Sequence, residues 1–176
     1  VINRSSGPPV VTASKILRAI GLKGPDPKAA RIIVNKEKLM NFCTKNKILA
    51  PKIKSIQSRR KLPNGIKFPV VVKPSLSIYG KSGISVVKKR SQLKKAVKLA
   101  NKLTINNSIN IEEEVPGEDV VIMGLVKNKR FLELTFLDEE NYVNSSGRIN
   151  RFSFVVPSKF EKTKVKIKIT KIINYL

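Results

Sequence analysis

The sequence predicts an α+β fold, in which helices pack against antiparallel sheets, and three stretches indicate it. The run Val70-Val71-Val72, closed by Lys73-Pro74, is typical of a buried strand that ends at the proline. From Ser91 onward, apolar residues recur at helical spacing with lysines opposite, which predicts an amphipathic helix. Residues 120–126 and 131–137 are apolar stretches separated by a short polar turn, and they predict a β-hairpin.

Composition sets the frame for the function. The 176 residues suffice for one domain or two small lobes with a core. Lys and Arg number 36 against 12 Asp and Glu, so the formal net charge of +24 favours polyanions, including nucleic acid and nucleotide phosphates. The charges are spread along the chain, and aromatic residues make up only 6%, few for a protein that stacks bases. A basic nucleic-acid-binding module is therefore the alternative hypothesis, not the preferred one.

Several classes of chemistry are excluded by missing residue types. The chain has no histidine and one cysteine, so a Cys/His zinc cluster, an internal disulfide and a Ser-His-Asp triad are excluded. Cys43 lies in an apolar helical pattern, which predicts a packed thiol. No apolar run approaches the length of a membrane span, and we expect a cytoplasmic protein without membrane association.

The first 50 residues predict three short helices. Residues 1–11 are polar and then Pro-rich, which indicates an extended lead-in, and Thr12 or Ser14 is the expected cap of the first helix. Asp26-Pro27 is an N-cap followed by proline at the first helical position. Asn35 is the expected cap of the third helix.

The cap at Asn35 places Lys36 in the first helical turn. A helix N-terminus prefers anions, so a lysine there is mildly unfavourable. Two interpretations stay open: a solvated surface lysine, or a lysine that shares a bound anion with the helix end.

Pro51 begins a new segment, with a weak strand at Ile53–Ile56 and a polar, basic loop before the strand that ends at Lys73. The loop Ser75–Gly83 is rich in Ser and Gly, and Ile84–Val87 is a second short strand. A lysine at a strand end that faces such a loop suits a polyphosphate, but an ordinary hairpin with a solvated lysine explains the same residues.

The densest acidic region follows the amphipathic helix. Residues 109–115 predict a strand that ends in Glu112-Glu113-Glu114, and Pro116-Gly117 predicts a turn before the next strand. The region could be a cation site, a partner to nearby lysines, a hinge with polar ligand contacts, or simply a charged turn.

The last third predicts further strands and a helix. We interpret Asp138–Glu140 as a solvated loop and Arg151–Val156 as a strand. Ser158–Glu161 has capping-box spacing, which favours a helix over the competing strand alternation that begins at Val165. The expected apolar stripe of this helix is Val165, Ile169, Ile172, Ile173 and Leu176. Since the chain starts without methionine and the stripe still runs at its last residue, we expect a piece of a longer protein.

Taken in order, these stretches resemble the ATP-grasp family of ligases. The resemblance covers residues 10–176 and rests on the capped helix Asn35-Lys36-Glu37-Lys38, the strand Phe68–Pro74 with its Ser/Gly loop, and the turn Glu112–Asp119. The family has a helix-start lysine, a lysine in a "PVVVKP" strand, a glycine loop and an "EE-x-[IV]-x-G-x-E" hinge.

The resemblance implies an ATP-grasp fold of two α/β lobes, whose antiparallel sheets enclose the nucleotide, incomplete here at both ends. By this resemblance, residues 1–50 are a helical lead-in, 51–115 the small lobe with the phosphate-binding loop, and 116–176 the truncated start of the second lobe.

The resemblance also assigns nucleotide contacts. Lys36 and Lys73 would contact the ATP phosphates, and the loop Ser75–Gly83 would close over them. Glu112 would accept a hydrogen bond from the adenine amino group. The remaining implied contacts are the backbones of Glu113 and Val115 on the adenine ring and the carboxylate of Asp119 on the ribose hydroxyls.

Three departures from the family pattern are visible. Lys81-Ser82-Gly83 replaces the common Ser-Arg-Gly, so lysine supplies the cation in the loop, and Glu114 stands where the family commonly has an aromatic residue. The family's magnesium ligands, a Glu and a Glu-x-Asn pair, are expected beyond Leu176, so no metal ligand and no catalytic residue is assigned here, and the chain alone is expected to be inactive.

The function implied is that of a carboxylate–amine ligase, similar to carbamoyl-phosphate synthase and biotin carboxylase. Mg-ATP would phosphorylate a small carboxylate substrate, and an amine would attack the acyl phosphate. The resemblance specifies neither the acceptor nor the oligomeric state. Besides the nucleic-acid-binding alternative, a non-catalytic ATP-grasp scaffold is a third hypothesis.

Overall fold

The computed structural model describes residues 5–57, 61–78, 81–128, 130–145 and 147–175, without the side chains of residues 151, 171, 172, 174 and 175. Five helices and seven strands form within these ranges. In chain order they are α1 (Pro8–Ala19), α2 (Pro27–Ile33), α3 (Lys36–Lys45), β1 (Ile53–Gln57), β2 (Val70–Pro74), β3 (Ser85–Val87), α4 (Arg90–Leu103), β4 (Ser108–Glu113), β5 (Asp119–Lys127), β6 (Arg130–Val143), β7 (Ile149–Val155) and α5 (Lys164–Tyr175).

The chain divides into two compact units. Unit 1 comprises Val1–Val115 with Ser145–Arg148, and unit 2 comprises Pro116–Asn144 with Ile149–Leu176. The short segment Ser145–Arg148 groups with unit 1 because the Val86 N–H donates to the Gly147 carbonyl at 2.9 Å. Each unit contains one antiparallel sheet, as the sequence predicts.

Unit 1 is built on a four-stranded antiparallel sheet in the order β1-β4-β2-β3. Helix α4 packs on one face of the sheet, because its apolar stripe meets the β-branched residues of the strands. Fully buried Leu93 and Ala100 belong to this core, and so do Val72 and Ile109. The predicted strand at Val70-Val71-Val72 and the predicted amphipathic helix are both confirmed.

Helix α1 begins earlier than expected. It starts at Pro8, so the predicted extended lead-in is wrong from that residue on, and neither Thr12 nor Ser14 is its cap. Proline suits the first helical turn because its fixed φ is helical and its missing N–H would have no partner there. Ser14 lies buried inside the helix, and its hydroxyl donates to the Val11 carbonyl at 2.7 Å.

The caps predicted for the next two helices are confirmed. The Asp26 carboxylate accepts the Lys28 N–H at 2.7 Å and the Ala29 N–H at 3.2 Å. Asn35 Oδ1 accepts the Lys38 N–H at 3.0 Å. Both side chains take over helix-end donors that have no intrahelical acceptor. Cys43 is buried in α3 as a free thiol, also as predicted.

Unit 2 contains a three-stranded meander in the order β5-β6-β7. The hairpin predicted for β5 and β6 forms, although Lys129 of its turn lies outside the described residues. Strand β6 continues to Val143, so the interpretation of Asp138–Glu140 as a solvated loop is wrong. Residue Asp138 pairs with Val120 on one side and Val155 on the other, because β7 follows β6 back and satisfies its backbone.

The predicted C-terminal helix forms as α5, but its start differs from the expected one. Helix α5 begins at Lys164, and the Thr163 hydroxyl accepts the Val165 N–H at 3.2 Å. Ser158 does not cap it, because its hydroxyl donates to Asp138 and accepts the Phe160 N–H in a preceding turn. Of the expected stripe, the Ile172 side chain and Leu176 lie outside the described residues. None of the described helices is long and apolar enough to cross a membrane.

Candidate functional site

The face of the four-stranded sheet opposite α4 carries a row of polar side chains. In the strand register, Asn110 of β4 lies beside Ser55 of β1 and Lys73 of β2, so the three side chains point to the same face. Glu112 follows two residues after Asn110 and shares that face. We call Ser55, Lys73, Asn110 and Glu112 the polar row. Asn110 is fully buried, and Glu112 is 3% exposed.

An ion pair closes one end of the polar row. Lys73 Nζ lies 2.5 Å from Glu112 Oε2, with 21% of the lysine side chain and 4% of the glutamate side chain exposed. A buried carboxylate without such a partner would cost several kcal/mol of solvation. The pair therefore explains how glutamate is tolerated in the sheet, and it brings together two residues that the sequence predicts for the site.

The start of α3 is docked onto the same region of unit 1. The Lys36 N–H donates to the Ser75 carbonyl at 2.9 Å. The Ser108 hydroxyl donates to Glu37 Oε2 at 2.9 Å, and the Ser75 hydroxyl donates to Asn35 Oδ1 at 3.4 Å. Since Ser75 directly follows β2 and Ser108 opens β4, these bonds fix the first turn of α3 against the strands.

Lys36 is electrostatically coupled to the ion pair. Burial lowers the pKa of its ammonium group, the neighbouring Lys73 lowers it further, and Glu112 acts in the opposite direction. We call Lys36, Lys73 and Glu112 the charged cluster. Its two ammonium groups and one carboxylate leave one positive charge in a partly desolvated place, where attraction to an anion is stronger than in bulk water.

The loop after β2 is anchored at its start by hydrogen bonds and ends in a tight turn. The Ser75 N–H donates to the Ser108 carbonyl and the Ile105 N–H donates to the Leu76 carbonyl, both at 3.0 Å. Before β3, Gly83 has a φ of +74°, and a Cβ there would lie 3.1 Å from Pro74 Cγ. Lys81 also has a positive φ, so Lys81, Ser82 and Gly83 form a tight turn. Tyr79 and Gly80 of the predicted phosphate loop lie outside the described residues.

The rest of the acidic region is divided between the two units. At the end of β4, the Glu113 N–H donates to the Lys52 carbonyl at 3.0 Å, and its Oε1 accepts the Lys52 N–H at 2.9 Å. Val115 is exposed just beyond this strand. Asp119 opens β5 in unit 2, where its Oδ2 accepts from Asn141 Nδ2 at 2.5 Å.

Asp119 borders an open pocket of about 1100 Å³ in unit 2. Acidic side chains and one lysine contribute to its lining, among them Glu118, Asp138 and Lys159. Asp138 accepts from the Ser158 hydroxyl and the Lys159 N–H, and these bonds lower the pKa of its carboxyl group. In the part of the chain that the structure describes, no group of three or more Cys, Asp or Glu side chains could hold a metal ion.

Sequence reasoning missed four residues of this site. They are polar partners of the charged cluster and of α3, namely Glu37, Ser55, Ser108 and Asn110, of which Ser108 and Asn110 are buried. A signal for two of them is present in the stretch from Ser108 to Glu112, where polar residues alternate with isoleucines. Because every second residue of a strand shares a face, that alternation predicts a polar face opposite the core.

Comparison with known proteins assigns most of the chain to one family. The family model described as the D-ala D-ala ligase C-terminus matches residues 35–169, which is more than half of the chain. Those residues include the charged cluster, the loop after β2 and the acidic region. Among curated proteins, none matches the sequence.

Solved structures of ligases match the fold. An L-amino acid ligase from Bacillus licheniformis superposes with a TM-score of 0.75 at 19% identity, covering 93% of this chain and 38% of that one. VanG D-Ala:D-Ser ligase from Enterococcus faecalis superposes with a TM-score of 0.76 at 16% identity, covering 97% of this chain and 53% of that one. D-alanine–D-alanine ligase from Bacillus anthracis complexed with ATP superposes with a TM-score of 0.64 at 15% identity, covering 93% of this chain and 53% of that one.

The chain therefore spans about half or less of the length of these structures. At such low identity the structural likeness shows the fold alone, and the fold agrees with the one that the sequence motifs predict. Membership of the family rests on the match of the family model over residues 35–169. The chain belongs to the family of the D-ala D-ala ligase C-terminal domain and has the ATP-grasp fold.

Proposed function

We propose that this chain is the ATP-binding part of an ATP-dependent carboxylate–amine ligase. The observation that carries the proposal is the charged cluster: Lys73 forms an ion pair with Glu112 on the polar side of the sheet, and the Lys36 N–H donates to Ser75, which directly follows the strand of Lys73. We assign residues 51–115 to the small lobe with the phosphate-binding loop, 116–176 to the start of the second lobe, and 1–50 to a helical lead-in.

The phosphate end of the nucleotide is held by the cluster. Two lysines beside each other repel, and Glu112 neutralises only one of them, so a phosphate group relieves the remaining repulsion. Charge-assisted hydrogen bonds from ammonium groups to phosphate oxygens add to this attraction. Lys81, Ser82 and Gly83, in the turn before β3, complete the phosphate site when the loop closes.

The nucleoside end is held by the acidic region. Glu112 keeps acceptor capacity beyond its bond with Lys73 and takes a hydrogen bond from the adenine amino group. Because the Glu113 N–H already donates to Lys52, the Glu113 backbone contacts the ring through its carbonyl oxygen. Val115 contributes its backbone, and Asp119 binds the ribose hydroxyls.

The reaction proceeds by two displacements. A carboxylate oxygen of the substrate attacks the γ-phosphorus, the bond to the ADP oxygen breaks, and an acyl phosphate forms. An amine then attacks the acyl carbon, phosphate leaves, and the amine loses a proton. The residues of this chain bind and orient the nucleotide in that scheme. Magnesium would accompany the ATP, and no residue here is assigned to it.

The matched ligases suggest the substrate class. They include ligases of D-alanine, D-serine and L-amino acids, so we propose a small amino acid as the carboxylate substrate. The cytoplasm, where ATP is plentiful, is the proposed compartment. No comparison supports the nucleic-acid-binding alternative that the net charge suggested.

A titration tests the ATP site. Mg-ATP binding is measured at moderate salt for the parent, Lys73→Ala and Glu112→Ala, with Lys94→Ala on the exposed face of α4 as the matched control. Both site variants should weaken binding at least about tenfold, and the control should leave it unchanged. If neither Lys73→Ala nor Glu112→Ala weakens binding, the proposed site is wrong. Circular dichroism of each variant verifies that it is folded.

A further inference from the structure

Asn110 belongs to the polar row but has no proposed contact with the nucleotide. It is fully buried, lies on β4 two residues before Glu112, and faces Lys73 across the strand pair. A fully buried amide in the centre of a sheet is expensive unless its donors and acceptor are bonded. Its bonds therefore indicate what it is held there to do.

The two ends of the Asn110 amide have different partners. Its Oδ1 accepts from the Ser55 hydroxyl at 3.2 Å, and its Nδ2 donates to Glu112 Oε1 at 3.4 Å, a long hydrogen bond. The carboxylate decides the orientation of the amide, since an ionised carboxylate only accepts while a serine hydroxyl can donate or accept. The reversed amide would set an oxygen against an oxygen.

Glu112 is consequently held from two directions. Lys73 contacts Oε2 and the Asn110 amide approaches Oε1, so each carboxylate oxygen has one donor from the protein. A carboxylate oxygen accepts more than one hydrogen bond, which leaves capacity for a donor from a ligand. With both oxygens tethered, the plane of the carboxylate cannot turn away when that donor arrives.

We propose that Asn110 is a positioning residue for base recognition, holding the Glu112 carboxylate so that it accepts from a purine that carries a 6-amino group and rejects one with a 6-oxo group. The inference rests on the proposed ATP site. An oriented, acceptor-only carboxylate discriminates because adenine offers an N–H donor at this position while guanine offers a second acceptor. A carboxylate free to rotate would turn its charge toward Lys73 and discriminate less.

The test measures the ratio of the dissociation constants for GTP and ATP, by titration of the purified full chain with magnesium present. Asn110→Leu keeps a similar volume and removes the donor, and it should lower the preference for ATP about tenfold. Ile109→Val, one residue away on the core face, is the matched control and should reduce stability without changing the ratio. Ser55→Ala, which removes the hydrogen bond to Asn110 Oδ1, should lower the preference by a smaller factor.

A mutant cycle separates positioning from a merely structural role. Glu112→Gln should itself reduce the preference, and adding Asn110→Leu to it should change nothing further, since there is no carboxylate left to orient. Asn110→Ser provides a second, smaller variant if circular dichroism shows that Asn110→Leu does not fold.

Three results would overturn the inference. An unchanged ratio in Asn110→Leu or Asn110→Ser, with a reduced ratio in Glu112→Gln, rejects the role of Asn110 and leaves the ATP site intact. An unchanged ratio in Glu112→Gln rejects the role of Glu112 together with that of Asn110. A parent protein that binds neither nucleotide rejects the proposed function itself.

Discussion

At the scale of one residue, Lys36 shows that a charge placed for ligand binding can lower the stability of the free protein. Its ammonium group is partly desolvated at the start of α3 and is repelled by Lys73, and both effects lower its pKa. In the free protein this charge lowers the free energy of unfolding, whereas a bound anion would attract it. Local sequence reasoning left open whether Lys36 is solvated or serves an anion, and the anion contact stays a prediction.

Replacing Lys36 with methionine should therefore stabilise the free protein and weaken nucleotide binding. We expect Lys36→Met to raise the free energy of unfolding by roughly 0.5–1 kcal/mol and to weaken ATP binding at least about tenfold. Urea unfolding and ATP titration measure the two effects. Lys38→Met, on an exposed position of the same helix, is the control and should leave both nearly unchanged. A destabilised Lys36→Met would contradict the cost assigned to this charge.

The stability gain of Lys36→Met should depend on pH with a defined sign. Because the pKa of Lys36 in the folded protein lies below its ordinary value of 10.5, the folded state releases this proton at lower pH than the unfolded state. The cost of the charge is full below the folded pKa and vanishes as pH rises toward 10.5. Unfolding curves of parent and variant should thus converge at alkaline pH.

At the scale of elements, Asn35 makes both a local hydrogen bond at the start of α3 and a long-range hydrogen bond to another part of the chain. The cap of α3 is readable from sequence, since it involves residues three apart, Asn35 and Lys38. The same oxygen also accepts from the Ser75 hydroxyl, forty residues away along the chain. One side chain thus begins the helix and attaches it to the start of the loop after β2.

We expect Asn35→Ala to lower the free energy of unfolding by about 1–2 kcal/mol, because it removes the cap and leaves the Ser75 hydroxyl without this acceptor. Asn35→Asp keeps an acceptor oxygen and should cost less than about 0.5 kcal/mol. Denaturant unfolding of the two variants gives the comparison. Equal losses in both would show that the cap is not the source of the stability.

The turn before β3 gives a second test at this scale. Gly83→Ala forces a left-handed φ on alanine and brings its Cβ to 3.0 Å from Leu103 Cδ1 and 3.1 Å from Pro74 Cγ. We expect a loss of about 2–3 kcal/mol. Gly65→Ala is the matched control, since Gly65 has a φ of +68° and open space around its Cβ position, and it should lose only about 1 kcal/mol. Thermal unfolding that ranks the two in the opposite order would contradict the steric argument.

At the scale of the whole molecule, the net charge of +24 acts on stability and on binding. Self-repulsion among lysines destabilises the compact state, and salt screens it. Raising potassium chloride from about 0.05 M to about 0.3 M should therefore increase the free energy of unfolding by roughly 1 kcal/mol, while ATP binding weakens. Denaturant unfolding in matched buffers measures the first effect.

Tripolyphosphate separates general screening from a phosphate site. At equal ionic strength it should stabilise the parent more than chloride does, and Lys73→Ala should remove most of that excess. If the variant keeps the full excess, the phosphate is attracted by the overall charge and not by the charged cluster.

Features that depend on near neighbours in the chain could be predicted from the sequence. The caps at Asp26 and Asn35, the buried strand through Val72 and the helix α4 all follow from patterns only a few residues long. Where local patterns compete with backbone pairing, as at Asp138 in β6, sequence reasoning was wrong because two neighbouring strands decide the outcome.

The assembly of the site depends on long-range pairings that the fold alone specifies. The order β1-β4-β2-β3 places Asn110 between Ser55 and Lys73, and the contact between Ser108 and Glu37 joins residues 71 positions apart. No local pattern specifies such pairings, because strand order and register are set by which faces can be buried together. Lys73 of the strand Val70–Pro74 is visible in the sequence, and the fold brings the buried side chains of Glu112 and Asn110 beside it.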